Sequence, residues 1–315
     1  MALILAVSAC AQGVPVIFDT DMGNDVDDAL ALAMLHAMES RGECRILGVT
    51  VTKDNRWAPV YVDLVNTFYG RAHIPVGMVH GSRVTPEDSK MIQVPSERRR
   101  ADGTLVYPRR LSGDAPDAVA LLRRLLAGEK DGSVVIVQVG FSTNLAHLLE
   151  APADVELVRR KVKLLSVMAG NFAQAKPEFN VQKDTASARK LFEQWPGEIV
   201  ASGFEIGEAL LYPAASIEHD FSWTPDHPVV DAYRNYMKMP YDRPTWDLTA
   251  ALYAIRPEAG YFGLSARGRI HSDDAGRTTF EVDPAGRHRY LTLTPTQKAR
   301  VLEAMIGLAS QPVGR

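Results

Sequence analysis

Short apolar runs rich in β-branched residues alternate with Ala/Leu-rich stretches along most of this chain, and that rhythm leaves few architectures open. Residues 14–19 (VPVIFD) predict a buried parallel strand. Residues 27–36 (DDALALAMLH) predict a helix whose first turn carries acids, where the helix dipole favours them. Further strands are expected at 45–52, 74–78, 133–139, 162–168 and 198–201. The intervening helices are expected at 59–69, 117–126, from Asn144, and at 185–194. Such βαβ units demand a mostly parallel, Rossmann-like central sheet flanked by helices in a single α/β domain. Two stretches leave the rhythm. Residues 80–112 form a long aperiodic Pro- and Arg-rich loop. Residues 268–292 read as β-hairpin with Asp-Ala-Gly and Pro-Ala-Gly turns, before a last helix at 295–308.

Composition excludes several classes of function. A net charge of -3 gives no electrostatic footprint for nucleic acid or an anionic membrane surface. The tight basic cluster Arg98-Arg99-Arg100 reads as a solvated loop face. Two cysteines, Cys10 and Cys44, make neither a disulfide framework nor a zinc pattern. No run approaches the roughly 18 apolar residues that a membrane span needs. Residues 2–11 (ALILAVSACA) are apolar and end in small residues, like the tail of a secretory signal, and Val7-Ser8-Ala9-Cys10 resembles a bacterial lipoprotein cleavage box. The basic start of such a signal is missing, since no Lys or Arg precedes Arg41. Residues 1–12 are therefore read either as an export segment (periplasmic or secreted, lipid-anchored at Cys10) or as an extra N-terminal strand or disordered lead-in of a cytoplasmic protein, with 13–315 as the domain.

The densest chemical signal follows the first strand. Asp19-Thr20-Asp21-Met22-Gly23-Asn24-Asp25-Val26-Asp27-Asp28 holds five carboxylates in ten residues. It sits where a parallel strand gives way to a helix, the edge at which open α/β sheets bind ligands. Crowded carboxylates repel one another, so the cluster calls for a hard cation with oxygen ligands, calcium or magnesium. Helix capping explains one or two such acids, not five. A phosphatase of the haloacid dehalogenase kind would also place Asp-Thr-Asp here, with Asp19 as nucleophile.

Residues 19–32 closely resemble the amino-terminal signature of the inosine–uridine-preferring nucleoside hydrolases, Asp-x-Asp-x-Gly followed by Asp-Asp-Ala and an apolar helix. Two extra residues lie between Gly23 and Asp27. Either Asp27 or Asp25 therefore fills the first place of the family's Asp pair, and Ala29-Leu30-Ala31-Leu32 favours Asp27-Asp28. Three further patches follow in family order. They are Gly140-Phe141-Ser142-Thr143-Asn144-Leu145-Ala146, then Met168-Ala169-Gly170-Asn171 with Glu178-Phe179-Asn180, and Thr245-Trp246-Asp247-Leu248. Taken singly, Thr143-Asn144 could be a helix cap, Asn55 a turn residue, Asn180 a loop polar residue and Trp246 a core aromatic.

The resemblance implies calcium-dependent hydrolysis of the N-glycosidic bond of ribonucleosides, giving ribose and free base for salvage, by a homo-oligomer. It implies one Ca²⁺ held by Asp21, Asp28, the Thr143 main-chain carbonyl and Asp247, with Asp21 also the general base. Asp27, Asn55, Asn171, Glu178 and Asn180 would hold the sugar hydroxyls. Many relatives carry His where this chain has Trp246, which can stack on a base but cannot protonate one. Phe172, Phe179, Tyr236 and Tyr241 are candidates for an aromatic pocket, and His80 for a substitute acid. A nucleoside-binding relative without catalysis is the other reading.

Overall fold

The computed structural model describes residues 13–174 and 176–314. The export reading of residues 1–12 lies outside the described residues. Among those described, no helix is long and apolar enough to cross a membrane. Strands run in the order β1 (Val14–Thr20), β2 (Cys44–Val51), β3 (Val76–Met78), β4 (Val134–Gln138), β5 (Val162–Met168) and β6 (Ile199–Ser202). After them come β7 (Leu211–Tyr212), β8 (Arg243–Pro244), β9 (Gly263–Leu264), β10 (Gly268–Ser272), β11 (Thr278–Val282) and β12 (His288–Thr292). Ten of these form one sheet in the order β11-β10-β12-β6-β5-β4-β1-β2-β3, with β9 paired to β12, while β7 and β8 form a separate ribbon.

From β6 across to β3 every pairing is parallel. β-Branched residues fill these strands because both faces are covered. Val16 and Phe18 point into one core, and Ile17 into the other. The same alternation places Val135 and Val137 on the first face and Val134 and Ile136 on the second. The helix Asp27–Ser40 is buried at every residue from Asp27 to Met38. It packs against the helices Trp246–Ile255 and Pro295–Ala309, so it has no solvent face to make polar.

The expected hairpin is not an appendage. Strand β12 pairs parallel with β6 (His288 opposite Ile199, Tyr290 opposite Ala201), and β10 and β11 continue the sheet antiparallel beyond it. Turn chemistry identifies a hairpin locally, but the need to cover the edge of β6 decides where it docks. The aperiodic stretch likewise contains a short helix, Lys90–Glu97. The arginine cluster is not merely solvated. Arg98 pairs with Asp226 (2.8 Å) and Asp231 (2.6 Å), and Arg99 donates to the Gly103 carbonyl (2.7 Å).

The sheet order positions the site. From β1 the chain moves outward to β2 and β3 on one side, and β4, β5 and β6 build on the other. Loops leaving β1 and β4 therefore diverge, opening a crevice at the carboxyl ends of these strands. Gly140 sets how closely the two loops approach. A Cβ there would lie 2.4 Å from the Asp21 amide nitrogen and 2.5 Å from Thr52 Oγ1. Gly140→Ala is expected to cost about 1–3 kcal/mol, as overpacking of a tight site does. Denaturant unfolding of the variant measures it, and an unchanged midpoint would show that the two loops can move apart freely.

Candidate active site

A cavity of about 300 Å³ opens in this crevice. Its floor is acidic, formed by Asp21, Asp27, Asp28, Asp247 and Glu178, and its wall is aromatic, formed by Phe179, Phe204, Tyr236 and Trp246. Asn24, Asp25, Asn180, Arg243, Val139 and Met168 complete it.

The acidic loop divides its carboxylates among different tasks. Asp19 is fully buried, and its Oδ1 accepts from Thr50 Oγ1 (2.6 Å) and Asn144 Nδ2 (2.8 Å). Burial pushes its carboxyl up to about 7 against the pull of those two bonds. Asp19 does not line the cavity, so it cannot serve as the nucleophile that the phosphatase reading requires. It ties β1, β2 and the turn after β4 together. Asp21 turns into the cavity and accepts from Asn24 Nδ2 at 2.8 Å. Burial raises its carboxyl to about 6, while Asn24 and the Lys53 charge hold it down.

Asp27, Asp28 and Asp247 each offer a carboxylate oxygen, and these lie within 4.8 Å of one another. Asp27 Oδ2 accepts from the Asp247 amide (3.0 Å), which brings the helix Trp246–Ile255 onto the acidic loop. Asp28 Oδ1 accepts from Thr20 Oγ1, whereas its buried Oδ2 has no partner among the described residues. Burial raises all three carboxyls well above their ordinary range, and the charges of their neighbours raise them further. A buried trio of this kind, with an unpartnered oxygen, fits a divalent cation that takes oxygen ligands. Asp25 lies outside the trio, in an ion pair with Arg243. The Asp pair that opens the helix and joins the cluster is thus Asp27-Asp28.

Other expected residues divide between the cavity and its supports. Glu178 and Asn180 line it. Glu178 caps the helix Phe179–Lys183, accepting from the amides of Asn180 (2.9 Å), Val181 (3.1 Å) and Gly170 (3.2 Å). Its burial lifts the carboxyl to about 7 against those bonds. Asn180 Nδ2 donates to the carbonyls of Val139 (2.8 Å) and Met168 (3.2 Å), binding the ends of β4 and β5. Three expected site residues do not line the cavity. Asn55 Oδ1 accepts from the Trp57 amide (2.9 Å) just before the helix Trp57–Phe68, and its Nδ2 donates to Asp88 Oδ1 (2.8 Å). Asn171 Oδ1 accepts from the Gln174 amide (3.0 Å) in a tight turn. Thr143 begins a helix, and its hydroxyl donates to Asp184 Oδ2 (2.6 Å). Val139, which follows β4 and precedes the Gly140 patch, does line the cavity.

Trp246 belongs to the wall. Its Nε1 donates to the Phe204 carbonyl (2.9 Å), and its ring stacks on Phe204 at 5.3 Å between centroids. Gly207 makes this possible, because a Cβ there would sit 2.3 Å from the indole. Phe179 and Tyr236 also line the cavity, but Phe172 and Tyr241 do not. Phe172 stacks on Tyr290 instead, and the Tyr241 hydroxyl donates to the Tyr233 carbonyl (2.8 Å). His80 Nε2 lies 3.0 Å from the Ala115 carbonyl, and His80 does not line the cavity. Asn24, Phe204 and Arg243 line the cavity without having been expected there. Their signals were weak: Asn24 sits inside the acidic loop, and Arg243 stands three residues before Trp246.

Residues 16–305 match the family described as inosine-uridine preferring nucleoside hydrolase. No curated protein sequence matches the chain. Among solved structures, a plant nucleoside hydrolase, PpNRh1, superposes with a TM-score of 0.71 at 21% identity, covering 95% of this chain and 99% of its own. An inosine-uridine preferring nucleoside hydrolase from Bacillus anthracis gives 0.70 at 19% identity, covering 94% and 99%. The type III effector protein XopQ, solved with adenosine diphosphate ribose, gives 0.68 at 16% identity, covering 95% of each chain. At these identities the structures establish a common fold. The family match over nearly the whole domain, together with an acidic crevice at the ends of β1 and β4, places this chain in the inosine-uridine preferring nucleoside hydrolase family.

Proposed function

We propose that the protein is a calcium-dependent ribonucleoside N-glycosidase. The observation that carries this reading is the buried Asp27-Asp28-Asp247 cluster, with its unpartnered Asp28 oxygen, on the floor of a cavity walled by aromatic rings. Acids suit a hydroxylated sugar and a cation, and aromatic faces suit a planar base. Asp21, Asp28 and Asp247 would hold the cation, with Asp27 beside them. The main-chain role that the family resemblance gave to Thr143 passes in this proposal to Val139, because Val139 lines the cavity. When bound there, calcium would orient and acidify the attacking water and anchor sugar hydroxyls.

Asp21 takes the proton of that water as it attacks the anomeric carbon, its carboxylate facing the cavity beside the cation cluster. Positive charge grows on the ribosyl ring as the C–N bond breaks. The surrounding carboxylates lie where that charge develops, and the fixed Glu178 and Asn180 side chains hold the sugar in place. Trp246 and Phe204 flank the base.

The test incubates the purified protein with a panel of purine and pyrimidine ribonucleosides and their 2′-deoxy counterparts, and reads reducing sugar and free base. Equal release of both from ribonucleosides, lost on chelation and restored by calcium, is the expected result. Tight nucleoside binding with no base released would identify a binding protein and overturn the proposal.

A further inference from the structure

The imidazole that many relatives place at the leaving base is replaced here by the Trp246 indole. Among the described residues, no histidine lines the cavity, and the Trp246 indole N–H is already spent on the Phe204 carbonyl. One cationic side chain does line the cavity, and it lies with the aromatic wall. Arg243 places its guanidinium carbon 5.1 Å from the Tyr236 ring centroid and 5.2 Å from that of Trp246. Its Nε donates to Asp25 Oδ1 (2.9 Å), and its Nη2 donates to Asp25 Oδ2 and to the Tyr236 hydroxyl (3.0 Å). Those bonds occupy one edge of the planar fork. Among the described residues Nη1 has no hydrogen-bond partner, although the side chain is only 20% exposed. Burial by itself would weaken the guanidinium's hold on its proton, and the Asp25 bonds and charge more than reverse that. The group is therefore a permanent cation with unused donors, clamped in a cavity whose other charges are negative.

We propose that Arg243 is the catalytic residue that meets the leaving base, stabilising it as an anion by charge and hydrogen bonding instead of protonating it. This rests on the glycosidase reading above. The C–N bond breaks and its electron pair stays on the base nitrogen. The water oxygen bonds to the anomeric carbon, and its proton goes to Asp21. The base anion leaves paired with the guanidinium and takes a proton from solvent after release. A guanidinium donates and never accepts, so it serves ring nitrogens and carbonyl oxygens on which negative charge collects. Asp25 and Tyr236 are positioning residues that fix the fork. The two residues added to the acidic loop, relative to the family's usual signature, lie in the stretch between Gly23 and Asp27 that carries Asp25.

Arg243→Gln, Arg243→Lys and the double variant Asp25→Asn/Arg243→Gln are to be compared with the parent protein. The substrates are nitrophenyl riboside, whose phenolate needs no help, and a series of ribonucleosides ordered by the acidity of the free base. Arg243→Gln is expected to lose roughly 10²–10³-fold in kcat/KM on nucleosides, as loss of a charge-stabilising donor does, while cleaving nitrophenyl riboside nearly as before. Its dependence of rate on base acidity should steepen, and Arg243→Lys should recover part of the loss. The double variant leaves no unpaired carboxylate, and should show the same pattern if Arg243→Gln alone fails to fold. Equal losses on nitrophenyl riboside and nucleosides, in whichever variant folds, would overturn the role of Arg243 while leaving the glycosidase reading intact. A parent protein that cleaves none of the substrates would overturn both.

Discussion

Asp21→Asn is expected to lower turnover by roughly 10²–10⁴-fold, the usual cost of losing a positioned base, while leaving the fold in place. The carboxylate lies on the cavity floor, where it can take the proton of a water attacking the sugar. An amide of the same shape keeps a hydrogen-bonding oxygen beside Asn24 but cannot take a proton. It also removes one charge from a crowded group, so the cation-free variant should be more stable than the parent at neutral pH. Turnover on nitrophenyl riboside and the unfolding midpoint, measured on the same preparation, separate the two effects. A variant with near-parental turnover would move the base to another carboxylate of the loop, whereas loss of both turnover and fold would make Asp21 an anchor instead.

Removing the cation is expected to destabilise the protein at neutral pH and much less at pH 5. Asp21, Asp27, Asp28 and Asp247 all hold their protons more tightly in the fold than at the ordinary value of 3.8. The native state then binds more protons than the unfolded chain between pH 4 and the raised values. Stability of the cation-free protein must therefore fall as pH rises through that window. The rise of Asp21 to about 6 alone corresponds to a penalty on the order of 3 kcal/mol once it is fully ionised. Bound calcium offsets the repulsion, and occupancy adds roughly 2.7 kcal/mol at a hundredfold excess over the dissociation constant. Melting temperatures in EDTA and in calcium, at pH 5 and pH 7.5, should show a larger calcium effect at the higher pH. Equal melting curves with and without calcium at pH 7.5 would mean that the cluster does not hold the ion.

The order of strands and helices was legible because it is written in short-range pattern. Strand β5 and the helix Thr185–Gln194 fall at the expected bounds, since each is a run of one period closed by breakers. The place of the acidic loop at the end of β1 was legible for the same reason, and so was the family, through four motifs in order. What local pattern cannot carry is which atom of a loop faces the crevice and which holds the loop up. Asn55 and Asn171 are the right residue type in the right segment, yet backbone amides two and three residues ahead claim their side chains. Thr143 and Val139 lie four residues apart in one turn, and only the path of the backbone after β4 decides that Val139 lines the cavity. Asp25 and Asp27 read alike in the sequence. They part company because Arg243, 218 residues away, takes Asp25, while the Asp247 amide, 220 residues away, takes Asp27. The third hairpin strand docks on β6 for a similar reason, since edge coverage is a property of the assembled sheet. Sequence by itself determined most elements up to β6, the closing hairpin and helix, the crevice and the acids of the loop after β1. Tertiary structure decided the partners, because hydrogen bonds and ion pairs between distant segments exist only once the sheet has brought them together.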